Sequence, residues 1–179
     1  MHRTGTDLAA NELMKPRDLR PPRVDWAAIL WSGLIGGTAF LALALLLIPR
    51  IDHVAPWVII RYIGAIGLGQ AALPPPSDFD GGILIAALLV HVLLSIAYAI
   101  LLDLMVRRLR LGPAFLVGLI FGLGLYLVNF YFFSGLFPWF ASMRTLVVML
   151  DHVIFGVVTA ASYEGLHASR VQRHLAEPV

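Results

Sequence analysis

Two histidines lie inside stretches apolar enough to cross a membrane, His91 in "VHVLLSIAYAILLD" and His152 in "LDHVIFGVVTAASYE". An imidazole can exchange protons near neutral pH, ligate haem iron or a metal, or bridge helices as a neutral hydrogen-bonding ring. Helical spacing puts His91, Ser95 and Tyr98 on one face and His152, Gly156, Thr159 and Tyr163 on another, so each stripe should turn inward. Asp151 points about 100° away from its neighbour His152, so the two are no preformed chelate. Asn129 is the expected partner of Asp151 across the bundle. Three uses stay open for the histidines: fixing helix register, sensing or carrying protons, and bis-histidine ligation of haem b. Otherwise no cofactor or metal is expected. The chain carries no Ser-His-Asp order, metalloprotease motif, P-loop or Gly-rich dinucleotide fingerprint, so no enzyme is expected either.

These residues must be positioned by membrane helices. Hydrophobic residues make up 59% of the 179, mean hydropathy is +0.84, and 13% of residues are charged, against about 25% in ordinary globular chains. Four segments have spanning length: residues 26–48, 82–102, 112–134 and 144–166. Pro49 should close the first, and "GLFPWF" breaks the uncharged run after the third. The expected architecture is an all-α four-helix transmembrane bundle over residues 25–167, with tails at 1–24 and 168–179. The polar N-terminal stretch precedes an apolar run too long for a signal peptide, so the first span should be uncleaved. No cysteine is present, which excludes disulfides, thiolate metal sites and lipidated cysteine.

Residues 54–73 are long enough to cross, but Arg61 sits near their centre, where it would cost about 2.5 to 3.5 kcal/mol. Four spans put ten basic residues on one side, in the tail from Arg3 to Arg23, in "RRLR" and at Arg170 and Arg173, against Arg50, Arg61 and Arg144 on the other. A fifth span would split those clusters. The segment is therefore expected to be an interfacial or re-entrant outer helix, with Arg61 reaching water and lipid phosphate. By the positive-inside bias both termini are cytoplasmic, in a bacterial inner membrane. The net charge of +2 and pI near 9.3 then reflect topology and anionic lipid, not a nucleic-acid partner. Asp103 and Glu164 should end their helices at the inner interface, paired with Arg107, Arg108 or the C-terminal tail.

"GLIGG" opens the first span and "GLIFG" the third, while "HVLLSIAYAILLD" and "HVIFGVVTAASYE" align His91 with His152, Ser95 with Gly156, Ala99 with Ala160 and Asp103 with Glu164. The pattern suggests two duplicated parallel helical hairpins, with the outer segment inserted in the first. Gly33, Gly37, Gly118 and Gly122 are spaced for close helix packing, either within the chain or, alternatively, in a homo-oligomer. The basic tail, the outer insert, "VHVLLSIAYA", "GLIFGLGLYLVNFYFF" and "DHVIFG" together resemble the YagU-like bacterial inner-membrane proteins, a resemblance covering roughly residues 26–166. It implies an association with acid resistance. The functional expectation is a small membrane protein of envelope or acid-stress physiology with a proton-handling histidine core; the rival is a structural or assembly protein without transport.

Overall fold

The computed structural model describes residues 24–76, 78–107, 109 and 111–176. Their regular elements are all helical, and four of the helices are long and apolar enough to cross a membrane.

The first, α1 (Trp26–Ile51), begins where the Asp25 carboxylate accepts from the Ala28 N–H at 3.0 Å, satisfying an open first-turn donor. It does not stop at Pro49 as the sequence suggested, but runs to Ile51 with the proline in its last turn. So near the end the ring removes only one hydrogen bond, and Arg50 donates to the Leu46 carbonyl at 2.6 Å.

The segment expected on the outer side folds as α2 (Pro56–Leu68), followed by a 3₁₀ turn at Gln70–Ala72. Thirteen residues reach about 20 Å, short of a hydrocarbon core of about 30 Å. Gly69, at φ 80°, turns the chain back in a conformation glycine adopts freely. A Cβ on Gly64 would lie 3.0 Å from the Ile83 carbonyl, and one on Gly67 would lie 3.3 Å from Val90. These contacts step the same way along both helices, so α2 runs beside the start of the next span in the same direction, and the chain then doubles back to begin that span. Arg61 does not reach outward as expected. Its side chain is buried, donating to the carbonyls of Ala72 and Asp78 at 3.1 Å each, with the Asp78 carboxylate 3.7 Å away. A guanidinium can serve several unpaired carbonyls at once, and the returning loop presents them.

The second span, α3 (Gly81–Val106), is capped by Asp80, which accepts from Gly82 and Ile83. The third starts as α4 (Leu111–Leu127), widens into a π turn at Val128–Phe132 and ends in 3₁₀ turns at Phe133–Gly135 and Pro138–Met143. The fourth, α5 (Leu146–Ala176), is capped by Thr145, whose hydroxyl also donates to Asp52 at 2.7 Å and ties the end of α1 to the start of α5.

Helices α1 and α5 pack together at the centre; α3 lies against α1, α4 against α5, and α2 against α3. The two hairpins are held by equivalent contacts. A Cβ on Gly33 would meet Ala99 and the Ser95 carbonyl at 3.0 and 3.1 Å, and one on Gly118 would meet the aligned Ala160 and Gly156 carbonyl at 2.9 and 2.6 Å. Gly37 faces Ser95 and His91; Gly122 faces the backbone of His152. All four glycines thus serve packing within the chain, as small residues do where lipid offers no hydrophobic drive.

At the end bearing the chain termini, Asp25 also accepts from Arg170 at 2.7 Å and lies 3.3 Å from His167. Burial pushes the Asp25 carboxyl up, but the Ala28 N–H, His167 and Arg170 outweigh it and hold it below the ordinary carboxylate range. This clamp therefore contributes at neutral pH and is lost only as pH falls through that lowered range. It also corrects the expected pairing: Arg170 serves Asp25, not Glu164 or Asp103, and Asp103, near the end of α3, is buried within the protein. Arg108 and Arg173 lie outside the described side chains.

Candidate functional site

Between α3 and α4, beneath α2 and the 3₁₀ turns, lies a cavity of about 340 Å³. His91, Ser95 and Tyr98 of α3, Asn129 of the π turn and His152 of α5 form its polar wall, and phenylalanines supply most of the rest. The sequence placed these five among its candidates, and the fold brings them to one space.

The hydrogen bonds along this wall fix the proton positions. His152 Nδ1 lies 2.8 Å from the Val148 carbonyl, which can only accept, so Nδ1 carries the proton. Its Nε2 is then an acceptor, facing Asn129 Nδ2 at 3.4 Å, while Asn129 Oδ1 accepts from the Tyr98 hydroxyl at 2.8 Å. Donors thus run in one direction, from Tyr98 through Asn129 and His152 to Val148, across α3, the π turn and α5. His91 is held differently. Its Nε2 donates to the Gly37 carbonyl at 2.9 Å, so Nδ1 is the unprotonated nitrogen, and it takes no hydrogen bond among the described residues. Ser95 donates to the His91 carbonyl at 2.8 Å.

Asp151 is not Asn129's partner, contrary to expectation. Regular α-helix ends at Leu127, and Asn129, inside the π turn, meets Tyr98 and His152. Asp151 instead borders a separate void of about 50 Å³ between α1, α2, α5, the π turn and the last 3₁₀ turn. It is 3% exposed, and neither carboxylate oxygen has a partner among the described residues. Thr159 also lies away from the cavity, buried against Gly36 with its hydroxyl unpartnered among the described residues.

Two residues that sequence reasoning passed over organise the site. Phe40 stands between the imidazoles, its ring centroid 5.8 Å from His91 and 4.8 Å from His152, and it borders both cavities. It is one turn beyond Gly36 and Gly37, which was the available signal. Arg144 donates to the Phe130 carbonyl at 2.7 Å and to Ser134 at 2.8 Å, with its guanidinium 4.6 Å from the Tyr131 ring. A π turn leaves carbonyls without their usual donors, and this side chain takes one of them. Its lone positive charge directly after the uncharged run was the clue.

The arrangement does not suit haem. Axial ligation needs an open nitrogen from each ring, and His152 turns both of its nitrogens to protein partners, while Phe40 packs against both rings. Among the described residues, no three histidine or acidic side chains gather where a metal ion could be held. Compared with known proteins, the chain matches no family model, no curated relative and no solved structure.

Proposed function

We propose that this integral membrane protein exchanges protons at Asp151 and His91, within a frame fixed by Tyr98, Asn129 and His152. The observation that carries the proposal is Asp151: a carboxyl group six residues into a membrane helix, buried and without a partner among the described residues. Ionisable groups inside spans are costly and mark ion or proton paths when they occur. The group sits across Phe40, Phe130 and Phe140 from the cavity that His91 lines, and these three rings line both spaces. Movement of that shell would join them. Tyr98 and His152 are the other titratable side chains on the cavity wall, and no charged side chain lines it.

The charge distribution supports placing the tails in the cytoplasm and α2 on the outer side of a bacterial inner membrane. The YagU-like resemblance supports a setting in envelope or acid-stress physiology. A structural protein without transport is the second reading, favoured by the closed chain from Tyr98 to Val148, which ties three spans together.

Liposomes holding the purified protein under a pH gradient separate the two. Wild type should dissipate the gradient faster than Asp151→Asn and faster than the His91→Leu, His152→Leu double variant, both of which should approach empty liposomes. Equal rates in all preparations would leave the structural reading.

A further inference from the structure

The larger cavity has the form of a ligand site, and nothing in the proton reading requires it to be one. At about 340 Å³ it falls at the lower end of the roughly 300 to 1,000 Å³ range of small-molecule pockets. Its lining is aromatic on several sides, with Phe40, Phe130, Phe133, Phe137, Phe140 and Phe155 around a single polar wall. Aromatic walls favour a flat ring, which stacks or meets them edge-on.

The polar wall specifies the ligand's functional group. After the internal bonds are drawn, His91 Nδ1 and the Tyr98 and Ser95 oxygens retain lone pairs, and Asn129 retains one N–H. Acceptors outnumber donors on this wall. A hydroxyl, which donates and accepts at one atom, answers both kinds; an ether or a hydrocarbon leaves the acceptors unmet. The route in is sideways. α3 and α4 pack chiefly on other helices and little on each other, and Leu94 both lines the cavity and is 37% exposed on the lipid-facing side of α3. A molecule dissolved in the bilayer could enter there without crossing α2.

We infer that the cavity between α3 and α4 binds a lipid-soluble aromatic compound bearing a hydroxyl group, a phenol or a quinol, which donates to His91 Nδ1 or Tyr98 and accepts from Asn129.

The test uses 4-pentylphenol and its methyl ether, with wild-type protein in nanodiscs and empty nanodiscs as the background. Equilibrium dialysis should show one saturable phenol site per chain, with the ether weaker by about tenfold or more, as expected for loss of a buried hydrogen bond. Leu94→Trp, which fills the rim from its exposed face, should remove saturable binding, and Tyr98→Phe should narrow the gap between phenol and ether. The inference is overturned if no saturable site appears, if phenol and ether bind equally, or if Leu94→Trp binds as wild type does. The phenol-to-ether comparison needs no variant, so a misfolded mutant leaves the inference testable. Because dialysis measures no proton movement, a binding protein that fails the liposome assay would keep this inference and lose the proton proposal.

Discussion

Gly156→Ala should unfold or splay the second hairpin. A Cβ at this position would collide with the Gly118 carbonyl and lie 2.8 Å from the Gly122 nitrogen and 3.0 Å from its Cα. All three are backbone atoms, which cannot turn aside as a side-chain tip can. Relief requires the two helices to separate, and overpacking of this kind costs about 1 to 3 kcal/mol or more. The separation would also widen the contact of Gly122 with the His152 backbone, so the polar wall should loosen together with the helices. Gly124, on the partner helix α4, is the control. A Cβ there meets nothing within 4 Å, and alanine is the better helix former by about 0.8 to 1 kcal/mol. Unfolding midpoints in mixed micelles should therefore move in opposite directions for the two substitutions. A Gly156→Ala midpoint equal to wild type would mean that the hairpin is not packed backbone to backbone.

Arg144→Ala is expected to have the next largest effect. Its guanidinium serves the Phe130 carbonyl and the Ser134 hydroxyl and lies over Tyr131. Hydrogen bonds from a charged donor contribute about 1.5 to 3 kcal/mol each when buried, and the exposure of this side chain reduces that, so a loss of about 2 kcal/mol is expected. The more telling consequence is local. Without this donor the π turn has less to hold it, and Asn129 should lose its fixed position between Tyr98 and His152. Arg144→Lys should rescue little, because one ammonium cannot reproduce the fork that reaches two acceptors on different residues. Amide hydrogen exchange across residues 128–135 should rise in both variants. Exchange unchanged from wild type in Arg144→Ala would show that the turn is held by other contacts.

The spans and their pairing were legible because apolar length and small-residue spacing act through the backbone alone. Gly33 and Gly118 align by sequence and meet aligned partners in space. The site was legible only in part. His91, Ser95 and Tyr98 share a face because α3 is regular throughout, so 100° per residue places them correctly. Asn129 was misassigned because its level near the end of the third span says nothing of direction, and the π turn that holds it is encoded by no apolar pattern. Arg61 was misread for a related reason: insertion costs treat a side chain on an isolated helix facing lipid, whereas here the returning loop brings its own carbonyls to the charge. Pro49 was taken as a stop although a proline in the last turn removes only one bond.

The central claim is that the two histidines differ: His152 is locked within the chain from Tyr98 to Val148, and His91, on the cavity wall, keeps an open nitrogen. Nitrogen-15 NMR of histidine-labelled protein in bilayers measures this directly, since the two neutral tautomers have distinct ring shifts, with His91→Leu and His152→Leu providing assignments. At neutral pH the account predicts opposite tautomers, the proton on Nε2 in His91 and on Nδ1 in His152. The same tautomer at both positions, or a proton on Nε2 of His152, would contradict it.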